Sequence, residues 1–290
     1  MKIKNELYII VAAILWGIIS IFKNSLSQLN LPEISIIFTR AFWAVCFFGV
    51  YLLITNPKAF KIKLKDIWCF FGTGVLSLLF FTWCNFTCMT KTSVSVAVTL
   101  LYTSPVFVTV MAVLFFREKL TNTKIFALLL AFFGCMLVTE VISVSKSELD
   151  TFGIITGLFA GFGYALYSIF SKFAINKGYS SQTITFYTFL FCLIFAIPFT
   201  DFSAISFVCN DINYLLSGLG IGVICCAMPY ALYTKGLVGV TSSKAAVLAV
   251  IEPVIAVLTG IFVFSESAGI LKISGIVLVL LSTLFLTGKE

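Results

Sequence analysis

The chain has 290 residues, of which 60% are hydrophobic and only 11% are charged. This balance excludes a water-soluble globular protein, because a folded chain of this length needs far more polar surface to stay in solution. The net charge of +7 does not indicate a nucleic-acid partner, since the basic residues fall between apolar runs and form no stripe with interleaved aromatic residues. We therefore expect an all-α polytopic membrane protein whose main partner is the lipid bilayer.

Apolar runs of helical length follow one another along the whole chain, and the connections between them are too short to form separate domains. A helix needs about 20 apolar residues to cross the hydrocarbon core of a bilayer. The first run has no convincing cleavage site and is expected to remain as the first span. Ten transmembrane helices are predicted, at residues 7–27, 34–54, 67–89, 94–116, 123–142, 153–174, 182–200, 213–234, 243–264 and 269–287.

Basic residues are concentrated in alternate connections between the predicted helices. The connections around Lys61 and Lys119 lie on one side of the membrane if successive helices alternate in direction, and the opposite connections carry acidic residues such as Asp150 and Asp201. Lys and Arg accumulate on the cytoplasmic side of membrane proteins. We therefore expect a multi-pass protein of the inner or plasma membrane with both termini in the cytoplasm.

Two segments of the chain align with each other without gaps. The segment from Ser95 to Glu118 matches the segment from Ser243 to Glu266, so that Pro105 is paired with Pro253 at an offset of 148 (253 − 105). Five predicted helices separate equivalent positions, and an odd number of helices per repeat inserts the second copy upside down. The alignment predicts two inverted five-helix repeats around a central cavity, at residues 1–145 and 146–290.

The two aligned segments carry the motifs SPVFVTVMAVLFFRE, from Ser104, and EPVIAVLTGIFVFSE, from Glu252. These motifs resemble the signature hairpins of EamA-type transporters in the drug/metabolite transporter superfamily, and Trp16 and Arg40 also fit that pattern, although Ser282 stands where Gly is more usual. The resemblance implies a ten-helix carrier with a central cavity that exports amino acids or related metabolites, by exchange or by coupling to an ion gradient. We accordingly expect a small-molecule substrate, with a coupling proton or a counter-substrate, and a monomeric or homodimeric protein.

Charged residues inside the predicted helices are the first candidates for substrate binding or coupling. Glu252 lies near the middle of the ninth helix, where a carboxylate is costly unless it faces water or a cation; the structural alternative is an ion pair with a buried Lys or Arg. Pro253 removes a backbone donor and predicts a local break beside it. Arg40 and Lys23 could hold a substrate carboxylate, but Lys23 could also reach the membrane surface, and Arg40 could pair with Glu33.

Aromatic residues in the middle of predicted helices form the second group of candidates, because aromatic residues at helix ends are usually interfacial. The aromatic candidates for substrate binding are Trp16, Tyr102, Tyr164 and Tyr230. The candidate positions for helix breaks and gating are Pro105, Pro253 and Ser104.

The sequence leaves three functions open. The first is a secondary transporter that exports an amino acid or a similar zwitterion by alternating access, with Glu252 facing the ammonium group and Arg40 or Lys23 facing the carboxylate. The second is a carrier of organic cations such as quaternary amines, held by Glu252 and aromatic rings. The third is a membrane scaffold or enzyme without transport. No nucleotide-binding, catalytic or metal-binding motif stands in the sequence, so we expect neither an enzyme nor a cofactor or metal ion.

Overall fold

The computed structural model describes residues 2–29, 31–145, 149–267 and 269–287. Within these residues, eight helices are long and apolar enough to cross a membrane, and two shorter apolar helices complete the predicted set of ten. The all-α architecture predicted from the sequence is confirmed. The ten helices are α1 Ile3–Ser27, α2 Glu33–Thr55, α3 Leu64–Lys91, α4 Val94–Phe116, α5 Asn122–Val138, α6 Thr151–Asn176, α7 Ser181–Phe199, α8 Ile212–Gly236, α9 Ser242–Phe264 and α10 Ile270–Leu286.

The helices of the two halves are related by a constant offset. The fourth helix of each half begins 148 residues apart (242 − 94), and so does the fifth (270 − 122). A π-helical segment interrupts α3 at Gly72–Leu79 and α8 at Gly220–Ala227, again 148 residues apart. The predicted two-repeat architecture is therefore confirmed in its register. The predicted boundary between the repeats adjoins residues 146–148, which lie outside the described residues, and it stays a prediction.

The fifth helix is shorter than predicted. Its predicted span ended at residue 142, whereas α5 ends at Val138. The helix stops there because Glu140 has a left-handed backbone, with φ of 53°, a conformation that an α-helix cannot continue through. The Thr139 hydroxyl donates to the carbonyl of Cys135 at 2.9 Å in the last turn.

The fourth and ninth helices are each broken near the middle. Helix α4 consists of Val94–Leu101 and Ser104–Phe116, and helix α9 consists of Ser242–Ala249 and Ile251–Phe264. A proline follows each break within three residues or fewer, and its missing N–H removes the hydrogen bond that would continue the helix. The two breaks therefore occupy equivalent positions in the two repeats.

Glycine allows the first helix of each repeat to pack directly against the break of the other repeat. A Cβ atom on Gly17 of α1 would lie 2.8 Å from the carbonyl oxygen of Glu252, and a Cβ atom on Gly161 of α6 would lie 2.7 Å from the carbonyl oxygen of Leu100. Such distances admit no side chain, so both positions require glycine. The breaks are thereby fixed at the centre of the bundle.

The ends of the helices define two faces of the bundle. The N-terminal face carries the start of α1 and the connections after α2, α4, α6 and α8, and the opposite face carries the remaining connections. On the N-terminal face, Lys177 forms an ion pair with Asp66 at 2.7 Å. The hydrogen bond to the Asp66 carboxylate raises the pKa of Lys177. Lys146 and Lys289, which also bear on the charge balance of the two faces, lie outside the described residues.

Candidate functional site

A cavity of about 810 Å³ enters the bundle from the opposite face. Its mouth is lined by residues at the ends of helices, among them Glu140 and Lys272, and its inner end reaches Glu252 and Pro253 beside the break in α9. The volume lies within the range of small-molecule sites. Six of the ten candidate residues line this cavity: Trp16, Lys23, Arg40, Tyr102, Glu252 and Pro253.

A layer of aromatic side chains forms the floor of the cavity. The ring centroid of Trp16 lies 5.1 Å from that of Tyr230 and 6.4 Å from that of Tyr164, and the Phe81 ring lies 5.2 Å from the Tyr164 ring. Beyond the layer is a small void of about 20 Å³, which Trp16, Tyr164, Tyr230 and Ser104 help to line. The layer thus separates the open cavity from the N-terminal face.

Glu252 is held by a tyrosine at the boundary between the cavity and its floor. The Tyr164 hydroxyl donates to Oε2 of Glu252 at 3.0 Å. No Lys or Arg lies within ion-pair distance of Glu252 in the described part of the chain. The structural alternative raised by the sequence, a buried ion pair for Glu252, therefore finds no partner among those residues.

The two basic candidates differ in their partners. Lys23 forms an ion pair with Glu33 at 3.2 Å, whereas Arg40 donates to the Thr82 hydroxyl at 2.9 Å. The proposed pairing of Arg40 with Glu33 is therefore wrong. The physical reason is depth, because Arg40 stands seven residues further along α2 than Glu33 and so roughly 10 Å deeper in the bundle.

Several buried polar atoms around the cavity have no hydrogen-bond partner within the described residues. Buried polar groups are normally paired, so each such atom is a candidate contact for a bound molecule. The set contains two N–H donors, one carbonyl acceptor and one hydroxyl. These atoms are Nε1 of Trp16, Nε of Arg40, Oδ1 of Asn85 and Oγ of Ser20.

Sequence reasoning singled out some of the polar lining and missed other parts. Thr82, which accepts a hydrogen bond from Arg40, was not predicted, although it stands three residues before Asn85 in the same helix. Lys272 was also missed, and its partner is Glu266 at 3.2 Å. Pro105, in contrast, is buried beside the break in α4 and is absent from the lining of the large cavity.

The N-terminal face is closed by polar contacts between the repeats. Oε1 of Glu118 accepts from the backbone N–H of Ser242 at 2.7 Å. Lys244 of the second repeat pairs with Glu6 of the first at 2.9 Å, and within the second repeat the ammonium group of Lys172 donates to the carbonyl of Leu237 at 2.7 Å. Within the described residues, the large cavity therefore opens at the opposite face and is closed at the N-terminal face.

The described residues hold no cluster of three or more His, Cys, Asp or Glu side chains that could bind a metal ion. The nine cysteines are free, and most are buried. Cys46 is exposed on the outside of the bundle. Its position on α2 faces away from the packed interior.

Two five-helix repeats around one central cavity, closed at one face, define a polytopic membrane transporter. Comparison with known proteins makes the class specific: the EamA-like transporter family matches residues 3–140 and residues 151–288, one copy in each repeat. The chain belongs to the EamA-like transporter family. The residues matched include both broken helices and both π-helical segments.

The chain is also similar to individual proteins along nearly its whole length. An uncharacterized transporter of Archaeoglobus fulgidus is 29% identical over 97% of this chain and 95% of its own. The uncharacterized transporter YwfM of Bacillus subtilis is 24% identical over 97% and 93%. A solved crystal structure superposes with a TM-score of 0.78 at 12% identity, covering 98% of this chain and 96% of that chain. This last likeness concerns the fold.

Proposed function

We propose that this protein is a secondary transporter that moves an amino acid or a related zwitterion across the plasma membrane by alternating access, in the direction of export. The proposal rests on two charged residues that line the same cavity and lack an oppositely charged partner among the described residues. Arg40 and Glu252 have no oppositely charged partner among the described residues, whereas Lys23 and Lys272 in the same cavity each have one. Glu140, at the mouth of the cavity, also lacks such a partner. Deeper in the cavity, Arg40 and Glu252 are one cation and one anion without a charged partner among the described residues, and such a pair corresponds to a zwitterion.

The remaining polar lining supports the same substrate class. The unpaired N–H groups of Trp16 and Arg40 can donate to a carboxylate, and the unpaired carbonyl oxygen of Asn85 can accept from an ammonium group. Glu252 stands beside the break in α9, where it can exchange a substrate ammonium for a proton. Such an exchange is the form of coupling that we propose.

The orientation is part of the proposal. Placing the N-terminal face in the cytoplasm puts Lys61, Lys119 and most other loop lysines inside, as membrane proteins prefer. The cavity then opens to the outside, and the contacts of Glu118 close the cytoplasmic side. In this orientation the described arrangement is the state that follows release of an exported substrate.

A matched set of ligands tests the substrate class. We expect an amino acid to raise the melting temperature of the purified protein, whereas the amine without the carboxylate and the acid without the amine do not, because only the zwitterion uses both charges. Uptake of the labelled hit into proteoliposomes then measures transport. Stabilisation by the amine alone, unaffected by Arg40→Gln, would replace the zwitterion with an organic cation.

The organic cation is the second candidate, and it has an observation of its own. Trp16, Tyr164 and Tyr230 lie together at the inner end of the cavity, and Tyr164 contacts Glu252 directly. Aromatic faces beside a carboxylate suit a quaternary amine. Transport of such an amine by Arg40→Gln at the wild-type rate is the result that this second candidate predicts.

A further inference from the structure

We infer that Glu118 and Glu266 are exchangeable gate residues, each of which closes one face of the transporter by capping a helix of the other repeat. The inference rests on the proposed alternating access, and it identifies the groups that decide which face is closed. In the structure Glu118 holds the N-terminal face closed, and Glu266 stands free of the equivalent contact at the open mouth.

At the closed face, the Glu118 carboxylate caps the N-terminal end of α9 from the other repeat. It accepts from the backbone N–H groups of Ser242 at 2.7 Å and Ser243 at 3.2 Å, and from the Ser243 hydroxyl at 2.5 Å. The first turn of a helix has N–H groups that need such acceptors. Thr241, which stands at the N-cap position, makes no cap bond, and its buried hydroxyl has no partner among the described residues.

At the open face, the equivalent helix end is capped differently. The Ser93 hydroxyl caps α4 by accepting from the N–H of Val96 at 3.3 Å. Glu266 is 51% exposed and pairs with Lys272 at the mouth of the cavity. Val94, at the first position of α4, is exposed. Glu266 and the start of α4 thus line the same cavity without contact between them.

The groups at the two faces are equivalent in the repeat. Glu118 and Glu266 differ by 148 positions, as do Ser93 and Thr241 (241 − 93). The residues that precede the two glutamates, Arg117 and Ser265, both have left-handed backbones, with φ of 53° and 57°.

The backbone N–H groups of the two glutamates also bond to equivalent carbonyls. That of Glu118 donates to Ala112 at 3.3 Å, and that of Glu266 donates to Gly260 at 3.1 Å. The two glutamates therefore occupy the same position in backbone turns of the same kind.

The equivalence of the two repeats defines a second state, in which the contacts at the two faces are exchanged. Glu266 caps the N–H groups of Val94 and Ser95 and closes the opposite face, while Glu118 releases α9 and the Thr241 hydroxyl caps that helix instead. Each state thus keeps both helix ends capped, one by a glutamate and one by a hydroxyl. The two states exchange partners without leaving the first turns unpaired.

Distances between spin labels on each face test the gate in a variant without native cysteines. Thr90 and Ile270 flank the opposite face, and Val238 and Asn122 are their equivalents on the N-terminal face; all four are exposed. Glu266→Gln should favour the state described here, with a larger population at the long Thr90–Ile270 distance. Glu118→Gln should favour the exchanged state. We expect each to change the ratio of the two populations about fivefold, the effect of one helix cap.

The controls separate a cap from a general effect of charge. Glu140→Gln makes the same charge change at the same mouth and should leave both distances unchanged. Thr241→Val removes a hydroxyl with no partner here and should act like Glu266→Gln, whereas Ser93→Ala should act like Glu118→Gln. If Glu118→Gln does not fold, the variants Thr241→Val and Ser93→Ala, which change no charge, still test the gate.

Shifts of the distance populations in opposite directions in Glu118→Gln and Glu266→Gln support the gate. Because the expected shifts are opposite, at least one of them is measurable whichever state predominates in the unmodified protein. Shifts in the same direction, unchanged distances, or an equal effect of Glu140→Gln would overturn the gate. Opposite shifts in a protein that transports no zwitterion would leave the gate standing and refute the proposed substrate. Zwitterion transport by a protein whose distances do not change in these variants would support the proposed substrate and refute the gate.

Discussion

Four of the charged residues that line the cavity fall into two kinds. Lys23 and Lys272 are neutralised by neighbouring glutamates at 3.2 Å each, so they can remain near the mouth at little cost. Arg40 and Glu252 lie deeper, and their polar contacts in the described protein are neutral hydroxyls. A charge in that position is costly unless a ligand, a proton or water compensates it.

Replacement of Glu252 by Gln should separate binding from folding. The side chain keeps its shape and can still accept from Tyr164, so the free energy of unfolding should change by less than about 1 kcal/mol. Substrate affinity should fall by roughly 10- to 100-fold, because a hydrogen bond to a charged group contributes about 1.5–3 kcal/mol. Thermal melts and uptake into proteoliposomes measure the two effects.

Tyr164→Phe is the matched variant for that experiment. It removes the donor at 3.0 Å but keeps the carboxylate, so the loss of affinity should be smaller than in Glu252→Gln. A Glu252→Gln protein that transports at the wild-type rate with an unshifted pH profile would remove Glu252 from the site. A large loss of stability would instead point to a structural role.

These residues were predicted from the sequence as candidates for substrate binding because an ionisable residue in the middle of an apolar helix is unusual. The sequence could not assign their partners. The linear sequence suggested Arg40 as a partner for Glu33, because the two are close in the chain, and only the packing of α1 against α2 places Lys23 beside Glu33. Thr82 was missed for the same reason, since the linear sequence does not show that its hydroxyl accepts a hydrogen bond from Arg40.

Broken helices bring backbone groups to the centre of the bundle. The break in α9 leaves the carbonyl of Ala249 without the N–H that residue 253 would otherwise supply, because that residue is proline. The neighbouring residue Glu252 lines the cavity. Transporters use such discontinuous helices to present backbone dipoles to substrates and ions near the middle of the membrane.

Replacement of Pro253 by Ala should close the break. The new N–H can donate to the Ala249 carbonyl, so the melting temperature should stay the same or rise, while the rate of transport falls severalfold because the backbone near Glu252 is no longer free to change. Pro105→Ala, at the equivalent position of α4, provides the comparison. Wild-type transport by Pro253→Ala would show that the proline only curves the helix.

The breaks were predictable from proline, but other features of the helices were not. The π-helical segments Gly72–Leu79 and Gly220–Ala227 have ordinary apolar sequences, and no residue in them signals an extra residue per turn. The early end of α5 depends on Glu140 in a left-handed conformation, which side-chain type alone does not indicate. Both features arise from packing between helices.

The symmetry of the whole molecule was visible in the sequence because paired proline and glutamate residues share one offset. Which of the two faces is closed was not visible in the sequence, because the two repeats are equivalent and the same sequence is compatible with either state. Lys244 and Glu6 show where the symmetry fails: they join the N-terminal face at 2.9 Å, and their equivalents at the opposite face are Val96 and Ile154. That additional pair favours closure of the N-terminal face.

The orientation of the molecule is tested by chemical labelling. Cysteines introduced at Lys61 and Lys119, in a protein without native cysteines, should react with an impermeant thiol reagent only from the cytoplasmic side, because basic connections remain inside. A cysteine at Phe207, on an exposed short helix of the opposite face, should react only from outside. Reaction of the first two positions in intact cells would reverse the orientation.

Helices α5 and α10 have a consequence for the membrane itself. They pack together, with the Cα regions of Gly134 and Gly275 in mutual contact, and α5 has 17 residues, a length of roughly 25 Å. The hydrocarbon core of a typical bilayer is about 30 Å thick, so the lipids around this pair must thin or the pair must draw the surface inward. We expect the rate of transport in proteoliposomes to decrease as the acyl chains are lengthened, which makes bilayer thickness a determinant of activity.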